Sequence, residues 1–271
     1  MDVITARRER VPIYFGSAES ALFGCYHPPS TGTARDCAVV LCHPFGQEYI
    51  RAHRSFLQLA KRLTGRGFPV LRFDFFACGD SAGETEEGRV ERWADDVGTA
   101  IEEARSRSGR ERICLVGLRL GAALAATAAA ARGDVDSLVL WDPVVRGVDY
   151  LAELESLQAE LLRFEYVNPP EGQTGVAEEA LGFPLTPELR RGLRGIDLLS
   201  LGRAPARRVL VVESGRPAGV EQLAGRLART VPHFEHRHLP ERKVWLAEPF
   251  RGIVPHPLIE AVVAWTAQVH S

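Results

Sequence analysis

Residues 112–124, R-I-C-L-V-G-L-R-L-G-A-A-L, join an apolar run to an alanine-rich stretch. The first half, up to Gly117, has the composition of a strand that is buried on both faces. The second half opens residues 120–131, in which alanine and leucine favour a helix. Gly117 and Gly121 stand on either side of the junction, where small residues allow the backbone to turn sharply. The segment therefore predicts a strand-to-helix turn that presents the side chain of Arg119 at the edge of a sheet.

The remainder of the chain alternates between apolar strands and amphipathic helices. Strands are predicted at 11–16, 21–27, 37–42, 68–73, 137–141, 207–213 and 233–239, and helices at 55–66, 89–105, 220–229 and 258–269. The first two strands are expected to form an antiparallel hairpin. Alternation of this kind predicts an α/β fold, with a mostly parallel twisted sheet and helices on both faces.

Residues 148–202 interrupt this alternation. They have a mainly helical pattern, with a break at 168–175 that is rich in Pro, Gly, Gln and Thr. We therefore expect a single domain over residues 1–271, with a helical lid inserted at about 148–202.

Composition and charge exclude several classes of protein. The 271 residues are 45% hydrophobic and 25% charged, which is typical of a globular protein and not of a disordered or coiled-coil one. The formal net charge of −2 gives no general electrostatic attraction to nucleic acid. No apolar run approaches the roughly 20 residues that cross a bilayer, so no membrane span is expected.

The cysteines and the absence of nucleotide-binding motifs bear on the compartment and on the cofactors to expect. Five scattered cysteines include no C-x-x-C pair, and the basic N-terminal residues lack the apolar region of a secretory signal. No G-x-G-x-x-G or phosphate-binding loop occurs. We therefore expect a cytoplasmic protein with reduced thiols, no metal and no cofactor.

Three motifs occur in a recognisable order. His43-Pro44-Phe45-Gly46 follows the strand at 37–42, the stretch 72–81 carries a D-x-x-x-x-G-x-S loop, and Gly117–Gly121 has the spacing of a G-x-S-x-G nucleophile elbow. Over about residues 10–270 the chain resembles the α/β-hydrolase superfamily, specifically the serine-aminopeptidase-like hydrolases. It is similar also to a bacterial hydrolase-like group that is found with exosortase systems and biosynthetic clusters and has an arginine in the elbow. The resemblance implies an α/β-hydrolase fold.

The chain departs from the superfamily pattern at the centre of the elbow. Arg119 stands where a nucleophile is expected, and a guanidinium, which stays protonated, cannot attack a carbonyl group. Ordinary Ser-His-Asp acyl transfer at this elbow is therefore excluded. The other triad positions offer Glu213 as the acid and His256 as the histidine, although His256 either points into the site or only begins the last helix.

Two interpretations of Arg119 remain open. In the first it is an anion receptor, acting with the backbone N–H groups of Phe45, Gly46 and Leu120 at a helix N-terminus. In the second it pairs internally with Asp142 or Glu48.

Two classes of function follow from these interpretations. The chain is either a noncanonical hydrolase or acyl transferase, in which His43, Glu48 or Asp142 activates water, or a catalytically inactive binding or accessory protein. In both cases the expected partner is a small acyl or carboxylate ligand and not a nucleic acid. A homodimer or a partner protein from a biosynthetic pathway stays open as a further association.

Overall fold

The computed structural model describes residues 10–30, 34–164, 178–246 and 253–271. Its strands are β1 (Val11–Phe15), β2 (Leu22–His27), β3 (Ala38–Cys42), β4 (Val70–Phe73), β5 (Ile113–Leu118), β6 (Ser137–Trp141), β7 (Glu179–Ala180), β8 (Phe183–Pro184), β9 (Arg208–Glu213) and β10 (His233–His238). Eight of them form one sheet in the order β1-β2-β4-β3-β5-β6-β9-β10. The pairs β1–β2 and β2–β4 are antiparallel, and all other pairs in this sheet are parallel.

Helices cover both faces of this sheet. They are α1 (Gly46–Thr64), α2 (Val90–Ser108), α3 (Leu120–Arg132), α4 (Gly147–Phe164), α5 (Pro187–Arg194), α6 (Val220–Thr230) and α7 (His256–Val269). Helices α1 and α7 pack on one face, and α2, α3 and α6 pack on the other. In the part of the chain described here, no helix is both long and apolar enough to cross a bilayer.

The central strands are buried on both sides, which explains their continuous apolar sequence. In β3, Val39 and Leu41 contact the layer of α1 and α7, whereas Val40 and Cys42 contact the opposite layer. Every residue of β5 is buried. The predicted α/β-hydrolase fold, with its mostly parallel sheet between two helical layers, is confirmed.

Two elements differ from the sequence-based prediction. Helix α1 begins at Gly46 and not at Ser55, and its first turns bury Glu48 and Ala52 while His53 and Arg54 stay exposed. Between β6 and β9 the chain forms not only α4 and α5 but also the β7–β8 hairpin. The predicted break at 168–175 lies outside the described residues. The division into one domain with a lid stays a prediction.

The turn between β5 and α3 depends on very close backbone contacts. A Cβ atom added to Gly121 would lie 2.3 Å from the carbonyl oxygens of both Cys42 and His43, at the end of β3. A Cβ atom added to Gly117 would lie 2.4 Å from the Cα of Ala122. The two glycines of the motif are therefore needed because α3 packs directly against neighbouring backbone.

We expect Gly121→Ala to lower the free energy of unfolding by about 3 kcal/mol or more, at the upper end of overpacking effects, since backbone atoms cannot move aside as side chains do. Gly202→Ala is the matched control, because no atom lies within 4 Å of a Cβ at that exposed position. Urea unfolding of both variants measures the difference. Equal stability of the two variants would contradict the close approach.

Candidate functional site

Arg119 occupies the strand-to-helix turn in a strained conformation. Its φ of 55° and ψ of −120° are rare for a residue with a Cβ, and such a conformation costs about 1 to 3 kcal/mol. The surrounding backbone holds it there: Arg119 N–H donates to the carbonyl of Trp141 at 3.0 Å, and Val144 N–H donates to the Arg119 carbonyl at 3.2 Å. The turn therefore has the backbone of a nucleophile elbow and displays a guanidinium.

Four side chains surround this guanidinium. Its Nε donates to Oε1 of Glu48 at 3.0 Å, and its Nη2 donates to Oε2 of Glu153. Tyr150 donates its hydroxyl to Oε2 of Glu48 at 2.9 Å. The ring centres of Tyr150 and Trp245 lie 5.3 Å and 4.8 Å from the guanidinium carbon, within the range of cation–π attraction. We call these five residues the arginine cluster.

Burial makes this pairing necessary. The Arg119 side chain is only 4% exposed, and an unpaired buried charge would be strongly unfavourable. Burial by itself lowers the pKa of Arg119, but Glu48 and Glu153 outweigh it, raise the pKa above its usual value and keep the group charged. Burial likewise raises the pKa of Glu48, an effect that Arg119 and Tyr150 oppose.

A pocket of about 190 Å³ opens beside Arg119. It lies at the carboxyl ends of β5, β6 and β9, which is where open α/β sheets bind ligands. Its charged and aromatic lining residues are Arg119, Asp142, Arg146, Asp149, Tyr150, Glu153, Arg216, Lys243 and Trp245. Of these, Arg146 pairs with Asp149 at 2.9 Å. Within the described ranges, neither Arg216 nor Lys243 has an ion-pair partner.

Asp142 lines this pocket but does not neutralise Arg119. Its Oδ1 accepts the backbone N–H of Ser214 and its Oδ2 accepts the hydroxyl of the same serine, both at 2.8 Å. Burial raises the pKa of Asp142, and the bonds from Ser214 oppose that rise. Of the two internal partners predicted for Arg119, the structure brings Glu48 to it and holds Asp142 on Ser214.

The surroundings of His43 do not favour the expected activation of water by this residue. Its Nδ1 lies 2.7 Å from the carbonyl oxygen of Pro44, to which it donates, and its Nε2 accepts the backbone N–H of Phe75 at 3.3 Å. The ring is buried between Tyr49 and Phe75, and this burial lowers the pKa of His43. With both nitrogens engaged, His43 has no free lone pair for a water molecule and does not line the Arg119 pocket.

The predicted oxyanion residues lie apart from the Arg119 pocket. Phe45 and Leu120 line a separate cavity of only about 10 Å³, no larger than one water molecule needs. The Phe45 ring packs against Phe183 of the β7–β8 hairpin, 6.1 Å between centres. Phe183 also covers Gly46, which has a φ of +57°. The side chain of Phe183 thus lies beside both Phe45 and Gly46.

The remaining triad candidates also lie elsewhere. His256 is exposed at the start of α7, where its Nδ1 accepts from Arg62 at 3.1 Å, so of its two expected positions it takes the one that begins the last helix. Glu213 is buried, and its Oε1 lies 3.1 Å from Nε2 of His236 and 3.5 Å from Nδ1 of His238. In the described segments no group of three His, Cys, Asp or Glu side chains is suited to hold a metal ion.

Sequence reasoning missed Glu153, Tyr150 and Trp245. Tyr150 and Glu153 are three residues apart, a spacing that puts them on one face of α4. That spacing was available as a signal, but it does not say what the face packs against.

Comparison with known proteins agrees with this fold. Residues 33–169, about half of the chain, match the family model Hydrolase_4, serine aminopeptidase S33. The chain belongs to this family of α/β-hydrolases. Human ABHD12B is 36% identical over 114 residues, which make up 40% of this chain and 30% of that protein. The match therefore spans less than a third of that relative's length.

Several solved structures, one of them an esterase, share the fold of this family member. The Pyrococcus furiosus esterase Pf2001 has a TM-score of 0.67 at 16% identity, covering 97% of this chain and 92% of that one. Est1E from Butyrivibrio proteoclasticus, solved with ferulic acid, has a TM-score of 0.65 at 16% identity, covering 94% and 98%. A hypothetical protein from Pseudomonas aeruginosa, PA2218, has a TM-score of 0.69 at 17% identity, covering 98% and 95%. At these identities the likeness concerns the fold.

We expect Arg119→Ala to lower the free energy of unfolding by about 3 kcal/mol near neutral pH, because it leaves Glu48 buried without a counter-ion. The loss should be smaller at about pH 5 than at about pH 8. Without Arg119 the pKa of Glu48 is raised in the folded variant, so protonation of Glu48 at low pH stabilises the folded state of the variant. Urea unfolding at both pH values checks this.

The control for that variant is the double variant Glu48→Gln/Arg119→Met. It removes both buried charges together and should stay within about 1.5 kcal/mol of the wild type. A double variant as unstable as Arg119→Ala would show that packing, and not charge, is what Arg119 contributes.

Proposed function

We propose that this hydrolase-fold protein is a binding or accessory protein, which holds a compact acyl-derived or carboxylate ligand in the Arg119 pocket without serine-based acyl transfer. The observation that carries the proposal is a guanidinium in the wall of a pocket at the position of a nucleophile. No histidine in the described part of the chain lines that pocket.

Three charged groups favour an anionic ligand. Glu48 binds Nε of Arg119 and Glu153 binds Nη2, whereas Nη1 has no acceptor within the described residues. Arg216 and Lys243 add two positive charges at the same pocket. Charge-assisted bonds of this kind are roughly twice as strong as neutral ones.

The size of the pocket limits the ligand. A volume of about 190 Å³ is below the roughly 300 to 1,000 Å³ of sites for drug-sized molecules, so the ligand is compact. The cavity of about 10 Å³ beside Phe45 and Leu120 has no room for an acyl chain. The ligand therefore lies over Arg119 and Asp142, and α4, which carries Tyr150 and Glu153, acts as the covering lid.

We expect short linear monocarboxylates and benzoate to bind the wild type at least tenfold more tightly than they bind Glu48→Gln/Arg119→Met. One charge-assisted hydrogen bond contributes about 1.5 kcal/mol or more, which corresponds to this factor. Calorimetric or NMR titration with these acids measures the affinities.

The control is Glu103→Gln/Arg107→Met, which removes an ion pair of 2.6 Å on α2 outside the pocket lining. It should bind like the wild type. Equal affinity of the wild type and the Arg119 double variant would reject the binding function.

A second candidate function rests on Asp142. This buried carboxyl, with its raised pKa, lies at the same pocket as Arg119, so it could take a proton from a water molecule that attacks an ester bound there. Such a noncanonical hydrolase, or the related acyl transferase, would use Arg119 to hold the carbonyl oxygen.

We expect neither labelling by a serine-directed fluorophosphonate nor ester or thioester hydrolysis above the level of Asp142→Asn. The elbow offers no serine, and both oxygens of Asp142 already accept hydrogen bonds from Ser214. Mass spectrometry of the probe-treated protein and a hydrolysis assay measure the two outcomes. Turnover that disappears in Asp142→Asn would instead establish the second candidate.

A further inference from the structure

The two carboxylates on Arg119 are held very differently. Glu48 is 3% exposed, and its two oxygens are bound by Arg119 and by the hydroxyl of Tyr150. Glu153 is 34% exposed and lines the pocket, and within the described residues its only bonded partner is Nη2 of Arg119. Glu48 is thus a fixed counter-ion, whereas Glu153 lies between the guanidinium and the open pocket.

Glu153 is a second carboxylate on a guanidinium that needs only one counter-ion. Glu48 alone neutralises the guanidinium, so Glu153 gives the arginine cluster a net negative charge. A ligand anion added beside Glu153 would place three carboxylates around one cation. A ligand anion that replaces Glu153 would leave two carboxylates bonded to the guanidinium, as there are without ligand.

The geometry restricts the replacing group further. The rings of Tyr150 and Trp245 lie over the guanidinium, so acceptors reach it through its edge. A planar carboxylate suits that edge, as Glu48 and Glu153 both illustrate. Tyr150 remains in contact with both Glu48 and Arg119 when Glu153 leaves, so α4 stays attached to the cluster through Tyr150.

We infer that Glu153 is an internal stand-in for the ligand: a small monocarboxylic acid binds by replacing the Glu153 carboxylate at Nη2 of Arg119. This inference rests on the proposed binding function and names its ligand class. It makes Glu153 a competitor that weakens binding, although the residue lines the pocket and contacts Arg119.

The test is Glu153→Gln, titrated with acetate, butyrate, benzoate and inorganic phosphate. The glutamine removes the competing charge at nearly constant size. We expect the carboxylates to bind it at least tenfold more tightly than they bind the wild type, and phosphate to gain less. Glu160→Gln, an exposed position on the same helix, removes the same charge away from the pocket and should bind like the wild type.

Each outcome decides between the proposals. Tighter binding in Glu153→Gln but not in Glu160→Gln supports the stand-in. Equal or weaker binding in Glu153→Gln overturns it, while wild-type binding that depends on Arg119 would leave the binding function standing. An equal gain for phosphate overturns the assignment to carboxylates. Failure of all four anions to bind any folded variant rejects the binding function together with the stand-in, and thermal unfolding confirms that each variant is folded.

Discussion

A positive charge buried at the end of β5 determines how this region of the molecule is built. The guanidinium of Arg119 is almost fully enclosed, so it requires a carboxylate within hydrogen-bond distance. Glu48 meets this requirement from the first turn of α1, where a negative charge also interacts favourably with the helix dipole. Tyr150 and Glu153 bring α4 to the same charge. One side chain thereby links the elbow, α1 and α4.

The eight strands of the large sheet were predictable from the sequence, because the central strands are apolar on both faces and alternate with helices. The start of α1 was not predictable. Glu48 belongs to a polar stretch without the apolar spacing of a helix, yet it is buried in the first turn of α1, where it pairs with Arg119, 71 positions further along the chain. Long-range charge pairing of this kind leaves no local pattern, and the same reason explains why Glu153 on α4 was missed.

The candidate site was predictable only in part. The glycine spacing placed Arg119 at the turn, and Glu48 was one of two carboxylates foreseen as its partner. The histidines were a different matter, since a motif gives the position of His43 in the chain but not the direction of its ring. Its two nitrogens are used by Pro44 and Phe75, so the loop keeps its place in the fold while the side chain serves packing. Fold and chemistry are separable at this site.

The strained backbone of residue 119 has a consequence for protein engineering. The bonds from Arg119 to Trp141 and from Val144 to Arg119 involve main-chain atoms alone, so they hold the turn whatever side chain stands there. The backbone of the turn therefore does not depend on which side chain residue 119 carries. A nucleophilic side chain introduced at position 119 would be displayed at the edge of the sheet without redesign of the backbone. The missing part would be a base, and a designer would have to supply a histidine from the loops around the pocket, since His43 is already committed to the interior.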